Sequence, residues 1–233
     1  MRILSLIAAL AGGLAASTAL ADGPVVVELF TSQGCSSCPP ADAFLAELAD
    51  HDDVIALALH VDYWDYIGWA DTFANPAFTA RQHAYAHTAG STVVYTPQMV
   101  IGGVDHVVGN QPMDVVDRIT AHRDAVNPVT VEAVPAQGGW QVRASWTGAS
   151  TEMPAMIVQV VTYMPVQEVE ITRGENAGLT TAYHNIVQSW QAVAEWSGAD
   201  AFEAQVNAAG DMPHVVIVQA SGHGAILGAA RLD

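Results

Sequence analysis

The chain has 233 residues, 51% hydrophobic and 13% charged, enough for one large domain or two modest ones and too apolar for disorder, collagen or a coiled coil. Its seven cationic residues are all arginine and face 24 Asp and Glu, for a net charge of −17. The absence of lysine excludes Schiff-base and pyridoxal chemistry and Walker-type phosphate loops, and so acidic a chain repels a polyphosphate, which argues against nucleic acid as a partner.

In chain order, Arg2, the apolar run from Ile3 to Leu14 and Ala19-Leu20-Ala21 read as a secretory signal over residues 1–21, cut before Asp22. The run is interrupted by Gly12 and Gly13 and falls short of the roughly 20 residues of a spanning helix, so no stable membrane anchor is expected. The mature chain is expected in the periplasm or outside the cell, an oxidising setting where cysteines usually act as staples. Only two exist, Cys35 and Cys38. A bridge between them closes so small a loop that it contributes roughly 2 kcal/mol in the chain-entropy account, against about 3 for a 15-residue loop. A redox role therefore suits the pair better than a structural one.

The surroundings of the cysteines carry more. Val25 to Phe30 is a β-branched run of strand length, Thr31-Ser32-Gln33-Gly34 breaks it, and after the cysteines Pro39 and Pro40 open a helix running to Ala49. This is strand, turn, C-x-x-C, helix. The first thiol then faces the free amides and positive end of the helix, which favours its thiolate, and the second faces inward. Cys35 is thus the expected nucleophile and Cys38 the resolving thiol. Asp53 to Val61 reads as a second strand, Pro76 to Ala89 as a helix, Gln98 to Ile101 and Val104 to Val108 as a hairpin about Gly102-Gly103, and Met113 to Ala125 as a closing helix.

The order β-α-β-α-β-β-α, with C-x-x-C at the first helix and Thr96-Pro97 just ahead of the third strand, resembles the thioredoxin fold. That resemblance implies a cis bond before Pro97, a position beside the dithiol, and a backbone there that receives an extended substrate segment. Glu28 to Asp42, His60-Val61-Asp62-Tyr63-Trp64-Asp65 and Arg173-Gly174-Glu175-Asn176 are further similar to an exported bacterial family of thioredoxin-like proteins of unknown function. The chain departs from thioredoxin in Ser36-Ser37 between the cysteines, in lacking a tryptophan before Cys35, and in a longer connection before the second helix.

That connection, Asp62 to Phe73, is rich in aromatics and reads either as a lid or substrate platform beside the dithiol or as packing over the sheet. Trp64 joins Thr96 and Pro97 as a candidate substrate contact. Asp62 or Asp65 is a candidate proton relay to the inner thiol or a solvated carboxylate, and His60 is equally open. His83 and His87, four apart on the second helix, share a face and with the dithiol raise Cu(I) carriage as an alternative; solvated surface is the plainer reading of the two histidines, and no metal site is assigned. Beyond Asn127-Pro128, short β-rich runs alternate with turns: Val129 to Val134, Trp140 to Trp146, Ala155 to Tyr163, Val166 to Thr172, Tyr183 to Gln191 and His214 to Ala220. They suggest an all-β sandwich over residues 127–233 after a thioredoxin-like α/β domain over 22–126. Arg173 to Asn176 reads first as a polar turn and second as a substrate or interface contact, and no nucleophile-elbow sequence supports a hydrolase. The expectation is an exported thiol-disulfide oxidoreductase acting on an exported protein substrate, with a separate redox partner and no cofactor. A non-enzymatic binding module for an exported protein is a further alternative.

Overall fold

A computed structural model of the protein describes residues 23–207 and 211–232; the secretory signal expected over residues 1–21 lies outside them. The first half forms β1 (Val25–Thr31), α1 (Pro39–Ala49), β2 (Val54–His60), a 3-10 turn (Asp65–Ile67), α2 (Pro76–Thr88), β3 (Gln98–Ile101), β4 (Asp105–Val108) and α3 (Pro112–Asp124). Each α-helix opens on proline, whose missing N–H costs nothing in a first turn. Asn75 also caps α2, its side chain accepting from the Ala77 amide at 2.9 Å. The second half is all strand: β5 (Val129–Ala136), β6 (Gly139–Trp146), β7 (Met156–Glu170), β8 (Thr180–Trp196), β9 (Phe202–Val206), β10 (His214–Ala220) and β11 (Ile226–Leu232). Among the described residues no helix is long and apolar enough to cross a membrane.

The expected fold class does not survive. Instead of a thioredoxin-like α/β domain followed by a separate all-β sandwich, the molecule is mostly β, 43% strand against 19% helix, and both halves share one mixed sheet of eight strands. Its order is β11-β10-β7-β8-β2-β1-β3-β4, and only β5, β6 and β9 form a second, three-stranded sheet. β1 and β2 run parallel over their whole length, β3 is antiparallel to β1 and β4 antiparallel to β3, and β2 joins β8 in parallel at Ala58 opposite Ile186. The physical reason is burial. All seven residues of β2 are buried, so its far edge needs a backbone partner and both its faces need cover.

β7 and β8 also overrun expectation, continuing as a long hairpin through Pro165, where the sequence suggested two strands. Pairing runs Met164 to Ile186 and Val166 to His184, which sets Pro165 against Asn185 and asks no ladder hydrogen bond of the proline. Asn185 is left-handed there (φ 48°), a conformation asparagine tolerates, and its Nδ2 donates to the Ala56 carbonyl of β2 at 2.9 Å.

The sheet curls at this junction, so that its two wings share a core. On one face α1 and α3 cover β1–β4 through Leu45, Leu48, Val115 and Ile119. On the other, Phe78 and Tyr85 of α2 pack with Val26 and Phe30 of β1 and with Val161, Val187, Val215 and Ile217 of the second wing. The Ile226 amide of β11 reaches the Gly102 carbonyl at 2.8 Å, linking the far edge strand to the β3–β4 turn. Between the wings lies a buried ion pair. Arg81 of α2 donates to both carboxylate oxygens of Glu28 on β1, at 2.6 and 2.9 Å, and to Gln219 of β10 at 3.2 Å, with its guanidinium 3.7 Å from the Trp190 ring centre. Tyr85 adds a 2.5 Å hydrogen bond to Glu28. A charge inside a sheet is tolerable only when so fully paired. The small sheet caps the outer wing through Val129, Val142, Ala144 and Val206 against Val158, Val216 and Val218.

Candidate dithiol site

β1 ends at Thr31, and the next seven residues turn the chain into α1. The Ser32 carbonyl accepts from Cys35 N at 3.1 Å, and the Cys35 carbonyl from Cys38 N at 3.2 Å. Cys35 and Cys38 are joined as a disulfide, with Cys38 at the N-cap of α1. Both are buried, Cys35 at 1% exposure, whereas Ser36 and Ser37 between them are exposed. The outer cysteine of the disulfide is therefore covered as well as the inner one.

Three segments supply the cover. The first is Thr96-Pro97, whose peptide bond is cis. Ser37 Oγ lies 3.4 Å from Cys35 Sγ and, at the limit of hydrogen bonding, donates to the Thr96 carbonyl at 3.5 Å. The Pro97 carbonyl accepts from the Gly109 amide at 2.9 Å, and a Cβ on Gly109 would lie 3.1 Å from Pro97 and 3.3 Å from Ala41 of α1, so a side chain there would push the proline back by a few tenths of an ångström.

The second segment is the aromatic connection. Trp64 Nε1 donates to Thr96 Oγ1 at 2.8 Å, and Trp64 packs on Gly34, where an added Cβ would approach its Cβ to 3.3 Å and its carbonyl oxygen to 3.4 Å. Trp64, Thr96 and the cysteine turn thus meet. Gln33, just before the cysteines, fastens the rest of the connection: its Oε1 accepts from Trp69 Nε1 at 2.8 Å and Thr72 N at 3.2 Å, and its Nε2 donates to Thr72 Oγ1 at 3.0 Å. Asp71 is the pivot. One carboxylate oxygen accepts from Gln33 N at 2.8 Å and binds His60 Nδ1 at 2.7 Å, and the other takes the Phe73 amide at 2.8 Å.

The third segment comes from the distant motif around residue 175. Buried Asn176 donates through Nδ2 to the carbonyls of Gln33 and Cys35, both at 2.9 Å, and so ties the start of the turn to its middle, the Cys35 carbonyl accepting from Cys38 N as well. Its neighbour Gly174 (φ 77°) lies against Trp69, where a Cβ would come within 3.1 Å of that side chain. A stretch that reads in sequence as a polar surface turn is a strut beneath the dithiol.

Behind the disulfide lies a buried polar cluster. Asp42 is one helical turn beyond Cys38, on the same inward face of α1, 3% exposed. Thr31 Oγ1 donates to Asp42 Oδ1 at 2.7 Å, and Thr31 pairs in register with His60 on β2. Burial, opposed by the charge of His60 and the Thr31 hydrogen bond, pushes the Asp42 carboxyl up to about 7. The His60 ring stands edge-on to Phe73 and Tyr183, centroids 5.2 and 5.0 Å away. Burial, then the Asp42 and Asp71 carboxyls, push the Tyr183 phenol up.

The other residues singled out in the sequence go elsewhere. Asp62 accepts from Thr79 of α2 at 2.6 Å and Asp65 from the Asp71 amide at 3.0 Å, so both carboxylates brace the connection. His83 and His87 lie exposed on α2, and no cluster of three or more His, Cys, Asp or Glu suited to a metal occurs among the described residues. Sequence reasoning gave Asp42 and Asp71 no role and read Asn176 first as part of a polar turn. Only Asp42 had a local signal, a carboxylate four residues beyond the second cysteine on the apolar face of a helix. The other two depend on distant contacts.

Residues 26–219 match the family described as "Protein of unknown function (DUF1223)", and the chain belongs to that family. A solved structure, the X-ray crystal structure of protein AGR_C_4864 from Agrobacterium tumefaciens, is similar at 32% identity and a TM-score of 0.76, over 89% of this chain and 93% of that one. No curated protein matches the chain.

Proposed function

We propose that the protein is an exported thiol-disulfide oxidoreductase whose Cys35 exchanges with sulfurs of an exported protein and whose Cys38 resolves the mixed disulfide. The observation that carries this reading is that the exposed part of the 31–38 turn, Ser36-Ser37, lies against the Thr96-Pro97 backbone while every other residue of that turn is buried. A partner sulfur arriving there meets Cys35 once Ser37 or the Trp64 cover shifts. The position of Cys35 ahead of α1, where amides are free and the dipole is positive, supports its role as the more stable thiolate and the better leaving group. The secretory character of residues 1–21 supports the location, and the acidic chain suits a protein partner over a nucleic acid.

In the reducing direction a Cys35 thiolate attacks one sulfur of a substrate disulfide, and the other sulfur leaves with the electron pair. Cys38 then attacks Cys35 Sγ, releases the substrate dithiol and closes the Cys35–Cys38 bond, two electrons having passed to the substrate. The oxidising direction reverses each step. A separate dithiol or disulfide partner resets the pair. Both electrons travel in sulfur bonds, so this chemistry uses no cofactor.

The test is capture. Cys38→Ser should accumulate mixed disulfides with exported proteins on non-reducing gels, and Cys35→Ser should accumulate few. In parallel the folded wild-type dithiol should equilibrate with glutathione buffers and yield a reduction potential. A pair that exchanges with neither glutathione nor protein thiols sinks the reading.

A further inference from the structure

The two ends of the eight-stranded sheet are finished differently. At one end β11 is engaged by the rest of the molecule: its Ile226 amide donates to the Gly102 carbonyl at 2.8 Å, and the Val129 carbonyl of β5 packs against its Gly228. At the other end β4 has β3 on one side and, among the described residues, no strand on the other. β4 pairs with β3 without a bulge and contains neither proline nor lysine, so these common blocks to further pairing are absent. The Gly109 amide donates to the Pro97 carbonyl, one step beyond the Gln98–Val108 pair, and in an antiparallel ladder such bonded pairs alternate. The backbones of Asp105, Val107 and Gly109 therefore face β3, and the His106 N–H and C=O and the Val108 N–H face outward. Along this edge runs a cleft of about 440 Å³, lined by Tyr95, by the strand itself and by Asp114 and Asp117 of α3. Its charge is negative. Asp105 is already paired with His122 at 2.8 Å and Arg118 at 3.8 Å, whereas Asp114 and Asp117 are exposed and form no ion pair among the described residues.

We propose that this edge takes an extended segment of an exported protein, bearing lysine or arginine, which adds to β4 as a further strand. Main-chain hydrogen bonds to His106 and Val108 hold the segment, and its alternate side chains on the α3 side bring their cations to Asp114 and Asp117. A second copy of this chain fits the edge poorly, because each copy brings the same acidic strand edge, a net charge of −17 and no lysine. The place of the cleft ties it to the dithiol. Tyr95 leads into Thr96-Pro97, the Thr96 carbonyl accepts from Ser37 between the cysteines, and Gly109 follows β4 against Pro97. A segment seated on β4 therefore runs toward the cover of Cys35. The choice of an exported protein rests on the thiol-disulfide reading and deepens it, whereas the binding step itself needs no thiol.

The experiment follows short, cysteine-free fluorescent peptides by anisotropy as they bind the protein with its disulfide intact. One peptide alternates threonine with lysine, a second has glutamate for every lysine, and a third is the lysine peptide with its backbone amides N-methylated. The lysine peptide should bind saturably and the other two at least about tenfold more weakly. Asp114→Asn/Asp117→Asn changes two exposed side chains outside the core; it should weaken the lysine peptide by about tenfold at low salt and flatten the salt dependence of binding. Val108→Pro removes an outward N–H and no β3–β4 bond, and should weaken binding at every salt concentration. In amide spectra of the wild type, His106 and Val108 should shift as the lysine peptide is added. Equal binding of the three peptides, or wild-type affinity in either variant, overturns the inference and leaves thiol exchange standing. A dimer joined through β4 at the working concentration assigns the edge to a second copy and overturns it too. Peptide binding as expected by a protein whose disulfide exchanges with no thiol supports the edge and removes the thiol-disulfide reading.

Discussion

Replacing Asp42 by asparagine tests the electrostatics behind the disulfide without touching a cysteine. The side chains are isosteric; Oδ1 keeps the hydrogen bond from Thr31, and the new amide places a donor where Oδ2 has no partner. In the wild type the carboxyl rises from its ordinary value of 3.8 to about 7 on folding, so the folded state holds this proton more tightly than the unfolded chain. Where the folded state binds more protons, stability falls as pH rises. The loss begins near pH 4, where the unfolded carboxyl ionises, grows through neutral pH, and levels off above about 7. Each pH unit in that window is worth about 1.4 kcal/mol, which places the full cost of the ionised group near 4 kcal/mol. At pH 5 roughly 2 kcal/mol of it is already spent, so wild type should lose roughly 2–3 kcal/mol between pH 5 and pH 8 that Asp42→Asn does not lose. Urea unfolding of both proteins at a series of pH values, with the disulfide intact, measures the difference directly, since the other carboxylates are common to both. Parallel stability-against-pH curves would refute the placement of a proton on Asp42.

Arg81→Ala strands Glu28 unpaired inside the sheet and should cost about 3–5 kcal/mol in urea unfolding, with the double variant Glu28→Gln/Arg81→Met recovering part of the loss; equal loss in both would refute the ion-pair account. Trp64→Phe deletes the 2.8 Å hydrogen bond to Thr96 and loosens the cover over Cys35, so dithiothreitol should reduce the disulfide several-fold faster while stability falls by about 1 kcal/mol. An unchanged reduction rate would show that Trp64 does not guard the sulfur. Asn176→Ala takes the side-chain donor from the Gln33 and Cys35 carbonyls, leaving the second only Cys38 N, and should lower the unfolding midpoint by the equivalent of about 1–3 kcal/mol, measured against Arg173→Ala as an exposed control.

Most of the local structure was legible because its signals are local. The β-branched run to Phe30, prolines at three helix starts and Gly102-Gly103 between two short apolar runs set β1 to α3 within a residue or two of where they form. The C-x-x-C at the head of a helix was equally plain, and the strand character of the second half was visible in its alternation. Which strands pair was not, because a strand's sequence records how its faces are buried and carries nothing about the identity of its neighbour. The Ala58 to Ile186 junction joins residues far apart in the chain, and it turned two expected domains into one curled sheet. The same holds for the site. Sequence supplied the dithiol, Thr96-Pro97 and Trp64; only the folded chain brought Asn176 to the Cys35 carbonyl, set Asp71 between Gln33 and His60, and buried Asp42 beside them. A polar residue in a loop reads alike in sequence whether it faces water or satisfies a buried backbone group, and that difference is fixed by which distant carbonyls and amides folding leaves without partners.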